Sequence, residues 1–173
     1  YLTLLPVEIR HLHQLQILDV SNNNLTQLPT TIDGLQQLQQ CNLSHNNLTS
    51  IPSQIEGVTN VLELHLEYNH LTQLPITISQ LSQLQELYLS HNNLSQLPST
   101  IGQLIYLRQL NLFHNLLASL PPEIGQLQSL YHLDVGHNLL TTLPAEIIYL
   151  QNLCLLSIQD NPWTIFHPVV QRF

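Results

Sequence analysis

From Leu12 onward the hydrophobic and polar positions follow one template, LxxLxxLxLxxNxLxxLPxxIxx, which recurs every 23 residues without an insertion. Copies start at Leu12, Leu35, Val58, Leu81, Leu104, Leu127 and Leu150. Six are complete; the seventh keeps Leu153, Leu156, Ile158 and Asn161 and departs from the template at Pro162. The residues before Leu12 repeat the template's tail, with Leu5, Pro6 and Ile9 standing where Leu28, Pro29 and Ile32 stand later. A fixed period of this length implies a unit stacked on copies of itself, because one unit cannot bury its apolar face alone. The expected organisation is a single domain over 1–173: the tail of a preceding repeat at 1–11, seven repeats at 12–161 with the last partial, and a C-terminal cap at 162–173.

Within each copy the LxL segment alternates with period two, which predicts a short strand. In repeat four this is Leu87-Tyr88-Leu89, with the leucines inward and the tyrosine outward. Equivalent strands stacked about 4.8 Å apart make a parallel sheet over one continuous core. An asparagine follows each strand, at Asn23, Asn46, Asn69, Asn92, Asn115, Asn138 and Asn161. The chain must turn inward there, and a buried amide can donate and accept at once, so a column of asparagines is expected to satisfy the backbone. The LPxxI segment puts proline at the first position expected for a short helix or 3₁₀ turn, where its missing N–H costs nothing. Strands stack more closely than helical turns, so the stack should curve into a horseshoe arc. The expected fold is an α/β solenoid with a concave parallel sheet and convex short helices or 3₁₀ turns.

These repeats resemble the leucine-rich repeat family over essentially the whole chain. The LPxxI segment is similar to the 23-residue class of intracellular Ras-pathway regulators and many bacterial proteins. The resemblance implies a protein-binding module of the kind used in signalling or as a scaffold. The segment Asn161-Pro162-Trp163 resembles the end of a last repeat. Trp163, with Ile165, Phe166, Val169 and Val170, is therefore expected to cover the exposed end of the core. No matching cap is visible at the N-terminal end, so the natural protein is expected to continue upstream.

Composition narrows the partner. The formal net charge is −8, and the basic side chains at neutral pH are Arg10, Arg108 and Arg172. Neither nucleic acid nor an anionic membrane is expected as partner, since both require basic residues to neutralise phosphate. On the outward positions of repeats one to seven stand six of the eleven acidic residues, Asp19, Glu63, Glu67, Glu86, Asp134 and Asp160, and none of the three arginines. The aromatic residues of this face, Tyr68, Tyr88 and Phe113, lie in adjacent repeats three to five beside three of those acids. Aromatic anchors next to charges are the usual composition of a binding hot spot. The candidate partner-binding residues are Glu63, His65, Glu67, Tyr68, Glu86, Tyr88, His91, Phe113 and His114. The expected partner is another protein with a basic segment, met by a monomer.

Histidine is also frequent on this face. His45, His91, His114 and His137 share one column, with His65 and His132 nearby. Side chains standing parallel on a sheet do not converge on one ion, so no metal is expected; their titration near pH 6.5 would offset the acids and weaken a basic partner. No cofactor and no intrinsic catalysis are expected, because the chain holds no glycine-rich phosphate loop, HExxH or CxxC. A second class of function remains open: the recognition domain of a larger enzyme or bacterial effector whose catalytic part lies outside this chain. A structural spacer is a third, which the clustering on the face argues against.

Cys41 replaces a core leucine and Cys154 stands five repeats away, too far for a disulfide. The expected location is cytoplasmic, or inside a host cell for a delivered effector. Four sequons, starting at Asn24, Asn42, Asn47 and Asn93, arise from the NxL template and are discounted. Lysine and methionine are both absent while Gln, Asn and His abound, which favours compositional bias over avoidance of lysine modification.

Overall fold

The computed structural model describes residues 1–164. The cap residues Ile165, Phe166, Val169 and Val170 lie outside this range. Seven three-residue strands, β1 (Ile17–Asp19), β2 (Gln40–Asn42), β3 (Glu63–His65), β4 (Glu86–Tyr88), β5 (Gln109–Asn111), β6 (His132–Asp134) and β7 (Leu155–Ser157), form one sheet in sequential order. Every pairing is parallel and in the repeat register; Ile17 faces Gln40, Gln40 faces Glu63 and Glu63 faces Glu86. The strands begin one residue earlier than the LxL reading placed them. Leu89 closes β4 from outside: its N–H still donates to Asn111 O at 2.8 Å, so the ladder outlasts the formal strand.

Between strands, five-residue 3₁₀ turns stack on the opposite side, from Val7–His11 and Thr30–Gly34 to Ala145–Tyr149. The prolines do not occupy the first turn position, as the sequence suggested, but the capping position before it. Pro29 is extended at φ −67° and ψ 144°, and its carbonyl accepts from Ile32 N–H at 3.1 Å. A cap needs that extended ψ to aim its carbonyl into the turn, and the proline ring fixes the accompanying φ. Ile32 and its equivalents at 9, 55, 78, 101, 124 and 147 are buried beneath the turns. The turns stack so closely that a Cβ on Gly34 would lie 2.6 Å from Arg10 Cα. A wider α-helical turn would not fit at this spacing.

Leucines from all repeats merge into one core running the length of the stack, with Leu87, Leu89, Leu94 and Leu104 at 0% exposure in repeat four and its boundary. Asparagine stitches the core's edge. Asn92 Nδ2 donates to Leu66 O (2.9 Å), Leu89 O (3.1 Å) and Ser90 O (3.3 Å), and its Oδ1 accepts from Leu71 N–H at 2.9 Å. Asn46, Asn69, Asn115, Asn138 and Asn161 repeat this pattern. Each amide thus binds its own turn and the preceding repeat together. Trp163 packs half-buried on the end of the core, and its indole N–H donates to Ile158 O at 3.0 Å.

Replacing Asn92 by Ala should destabilise the protein by about 3 kcal/mol, because a buried N–H and several carbonyls lose their partner together. Asn92→Asp should be no better: it keeps an acceptor for Leu71 N–H but aims a carboxylate oxygen at three carbonyls. Urea denaturation of both variants checks this; wild-type stability for either would contradict the stitching role.

Candidate interaction face

Four side-chain columns cross the sheet side, one position per repeat in each. The first starts each strand, the second ends it, and the third and fourth lie between the strand and the buried asparagine. The second column holds Asp19, Asn42, His65, Tyr88, Asn111, Asp134 and Ser157. In four of these the side chain accepts from the backbone N–H two residues on: Ser21 to Asp19 at 3.0 Å, Ser44 to Asn42 at 3.1 Å, Phe113 to Asn111 at 3.0 Å and Gly136 to Asp134 at 2.9 Å. This is the local turn chemistry of Asp and Asn. The Ser21 N–H holds the Asp19 carboxyl below its ordinary pKa. Two of the six face acids, Asp19 and Asp134, are therefore occupied by their own backbone. His65 and Tyr88, in repeats three and four, and Ser157, at the last strand, make no such brace.

The fourth column holds Asn22, His45, Tyr68, His91, His114, His137 and Asp160, and every one has positive φ, from 51° to 55°. Here the chain bends inward to bring the next asparagine under the sheet. Asn, Asp and His enter this left-handed region most readily among residues with a side chain. The histidine column thus has a backbone cause that spacing alone did not reveal. Tyr68, a bulky ring at φ 52°, is the exception. Holding such a residue there costs on the order of 1–2 kcal/mol.

The rings of this column stack across repeats. His45 and His91 lie on either side of Tyr68, each with its centroid 4.2 Å from the tyrosine's and its plane within 10°. His91 to His114 is 4.7 Å and His114 to His137 is 6.1 Å. At the far end His137 Nε2 lies 2.8 Å from Asp160 Oδ2. Phe113, from the third column, leans onto His137 edge-on at 4.8 Å. A second, shorter stack joins His65 and Tyr88 at 4.5 Å. Ser44, Ser90 and Gly136, which the alternation placed outward in the third column, are buried. The inward bend after each strand draws this column down, and its small members lie covered.

The remaining acids, in repeats three and four, cluster around the short stack. His65 Nδ1 contacts Glu67 Oε1 at 3.1 Å, and the Tyr88 hydroxyl donates to Glu86 Oε2 at 2.5 Å. Gln40 Nε2 donates to Glu63 Oε1 at 3.2 Å. Glu67 Oε2 is enclosed with no hydrogen-bond partner among the described residues. The hydrogen bond to Glu67 raises the His65 pKa; burial, with the neighbouring histidines' charges, lowers that of His91. Desolvation, with the bond to Glu86, pushes the Tyr88 phenol well up. All nine predicted contact residues lie on this side and are at least partly exposed. Among the described residues no three His, Cys, Asp or Glu side chains are arranged to hold a metal ion.

A family model described as Leucine rich repeat matches residues 4–48, 42–94 and 59–117. The chain belongs to the leucine-rich repeat family. Solved structures of such proteins superpose on it. A leucine-rich repeat protein of Leptospira interrogans is 35% identical with a TM-score of 0.68, over 98% of this chain and 55% of that one. A plant peptide hormone receptor, solved in complex with RGF2, is 28% identical with a TM-score of 0.82, over 91% of this chain and 26% of the receptor. An internalin of Listeria monocytogenes, at 23% identity and a TM-score of 0.77 over 96% of this chain and 48% of that one, shares the fold. The chain thus spans about half or less of the length of these proteins. No curated protein matches its sequence.

The four-column reading of this leucine-rich repeat sheet missed a fifth column, just before each strand, where Gln85, Arg108, Tyr131 and Cys154 stand. The repeat alignment contains that signal, since these positions vary directly after a position that is Leu or Val in every repeat. Cys154 is exposed there, whereas Cys41 sits in the core with its thiol pushed up to about 12 by burial.

In an NMR pH titration His65 should protonate at higher pH than His91. His65 then favours the folded state below the ordinary histidine value of about 6.5 and loses that contribution as pH rises through its raised pKa. His91 acts oppositely: stability is lost as pH falls from about 6.5 through its lowered pKa, so His91→Gln should flatten the acid side of the stability profile. A His91 midpoint above that of His65 would contradict this arrangement.

Proposed function

We propose that this leucine-rich repeat domain binds another protein on the concave sheet face, through the acidic and aromatic patch of repeats three to five. The observation that carries the reading is where the repeat template is broken. The backbone brace of the second column is given up at His65 and Tyr88, and the backbone-compatible residue of the fourth column is given up at Tyr68. Apart from Ser157 in the terminal repeat, these departures fall in two adjacent repeats and remove local stabilisation. Strain and surrendered bonds at an exposed surface point to a function other than folding. Tyr68 is 46% exposed, with its ring fixed by stacking on both sides. A rigid aromatic held at the surface is the preferred anchor of a hot spot, since little side-chain freedom is lost on contact.

The partner's contact segment is basic: Glu63, Glu67 and Glu86 carry the charge of the patch. The fold's relatives agree at a coarser level, since the receptor solved in complex with RGF2 is a ligand binder. Two free thiols, Cys41 and Cys154, fit a reducing compartment.

Pull-down from cell lysate should capture a protein with the wild-type domain but not with the Tyr68→Ala, Tyr88→Ala, Phe113→Ala triple variant. Tyr68→Asn separates binding from folding. Asn accepts the left-handed backbone, so stability should stay within about 1 kcal/mol while affinity drops. Equal capture by wild type and triple variant would overturn the reading. Once a partner is in hand, its affinity should fall as pH drops below about 6, when charged histidines offset the acids; a flat profile would remove the basic-segment assignment.

A further inference from the structure

A cavity of about 680 Å³ opens along the flank of the sheet from repeat four to repeat seven, bordered by Glu86, Arg108, Gln109, Ser129, Tyr131 and Cys154. Its size lies within the range of ligand sites. Only its Glu86 corner belongs to the aromatic patch.

Arg108 is one of three basic residues in a chain of net charge −8. Its guanidinium makes no ion pair or hydrogen bond to any described residue, although Glu86 borders the same cavity. Its backbone is held firmly. Arg108 N–H donates to Gln85 O at 2.7 Å, and its carbonyl accepts from Tyr131 N–H at 2.9 Å and His132 N–H at 3.0 Å. Glu86 meanwhile gives Oε2 to the Tyr88 hydroxyl. The ladder thus presents a five-donor fork on a fixed base, unpaired, beside the half-exposed ring of Tyr131. That fork matches a carboxylate in geometry and in charge.

The geometry points to a second binding site, in which Arg108 takes the side-chain carboxylate of a Glu or Asp in an extended partner segment that packs on Tyr131. Glu86 at the repeat-four end limits the site to one anionic group: a phosphate dianion or an acidic run would meet its charge. The same carboxylate welcomes a basic residue, so the segment carries charges of alternating sign. The cavity is open along several repeats, so a chain passes through it instead of ending in it. This site stands on the cavity and Arg108, and does not require the patch at Tyr68.

The test uses two capped tripeptides, acetyl-Tyr-Glu-Lys-amide and acetyl-Tyr-Gln-Lys-amide, titrated into the ¹⁵N-labelled domain. Saturable shifts are expected at the Arg108 Nε–H and at the backbone amides of Ser129, Tyr131 and Cys154. The glutamate peptide should bind about fivefold more tightly, the upper range for an exposed ion pair. Arg108→Gln, an exposed change that leaves the ladder bonds intact, should abolish that preference. The Tyr68→Ala, Tyr88→Ala, Phe113→Ala variant should keep it, which separates failure here from failure of the patch. Equal affinity for the two peptides, a preference that survives Arg108→Gln, or shifts elsewhere would overturn the site.

Discussion

Where the chain leaves each strand and turns beneath the next repeat, backbone N–H and C=O groups are closed off from water, and one side chain per repeat has to answer them. Asparagine does so, with one acceptor and two donors at the end of a short stem. Asn92 serves carbonyls of its own turn together with a carbonyl and an N–H of repeat three. Leucine burial supplies the drive to stack, but it is indifferent to register. The amide fixes register, because a slip of one residue would leave both the asparagine and the backbone unpaired in the core.

That requirement propagates outward. To bring asparagine under the sheet, the preceding residue must adopt a left-handed backbone, and this selects Asn, His or Asp in the fourth column. To hold the bend, the residue ending the strand accepts from the N–H two places on, which selects Asp or Asn. Much of the polar and charged character of the face is therefore a by-product of folding. What remains after subtraction is small and local: the rings of Tyr68, Tyr88 and Phe113, the short His65 stack, and three glutamates.

The fold was legible because its determinants repeat. Seven asparagines and six LPxxI segments at one period leave no freedom in strand order, parallel pairing or the burial of Ile32 and its equivalents. Finer placement was less legible. Proline's fixed φ suits either the cap or the first turn position, and only the carbonyl geometry at Pro29 separates them. On the face, simple alternation failed after each strand, where the left-handed residue turns the chain, so Ser44 and Ser90 are covered. The histidine column was visible as a pattern, yet its cause lay in a dihedral angle that no residue count reports. The Arg108 cavity escaped because most of its lining stands outside the strands, and its members become neighbours only through stacking.

Each strand pairs only with the units before and after it, so no bond in the molecule depends on how many units there are. A duplicated or deleted 23-residue block in the gene would leave every type of contact as it was. Such a lineage can lengthen or shorten its reach in single steps without having to discover a new fold. Between those steps, single substitutions in the outward columns can give each copy its own history.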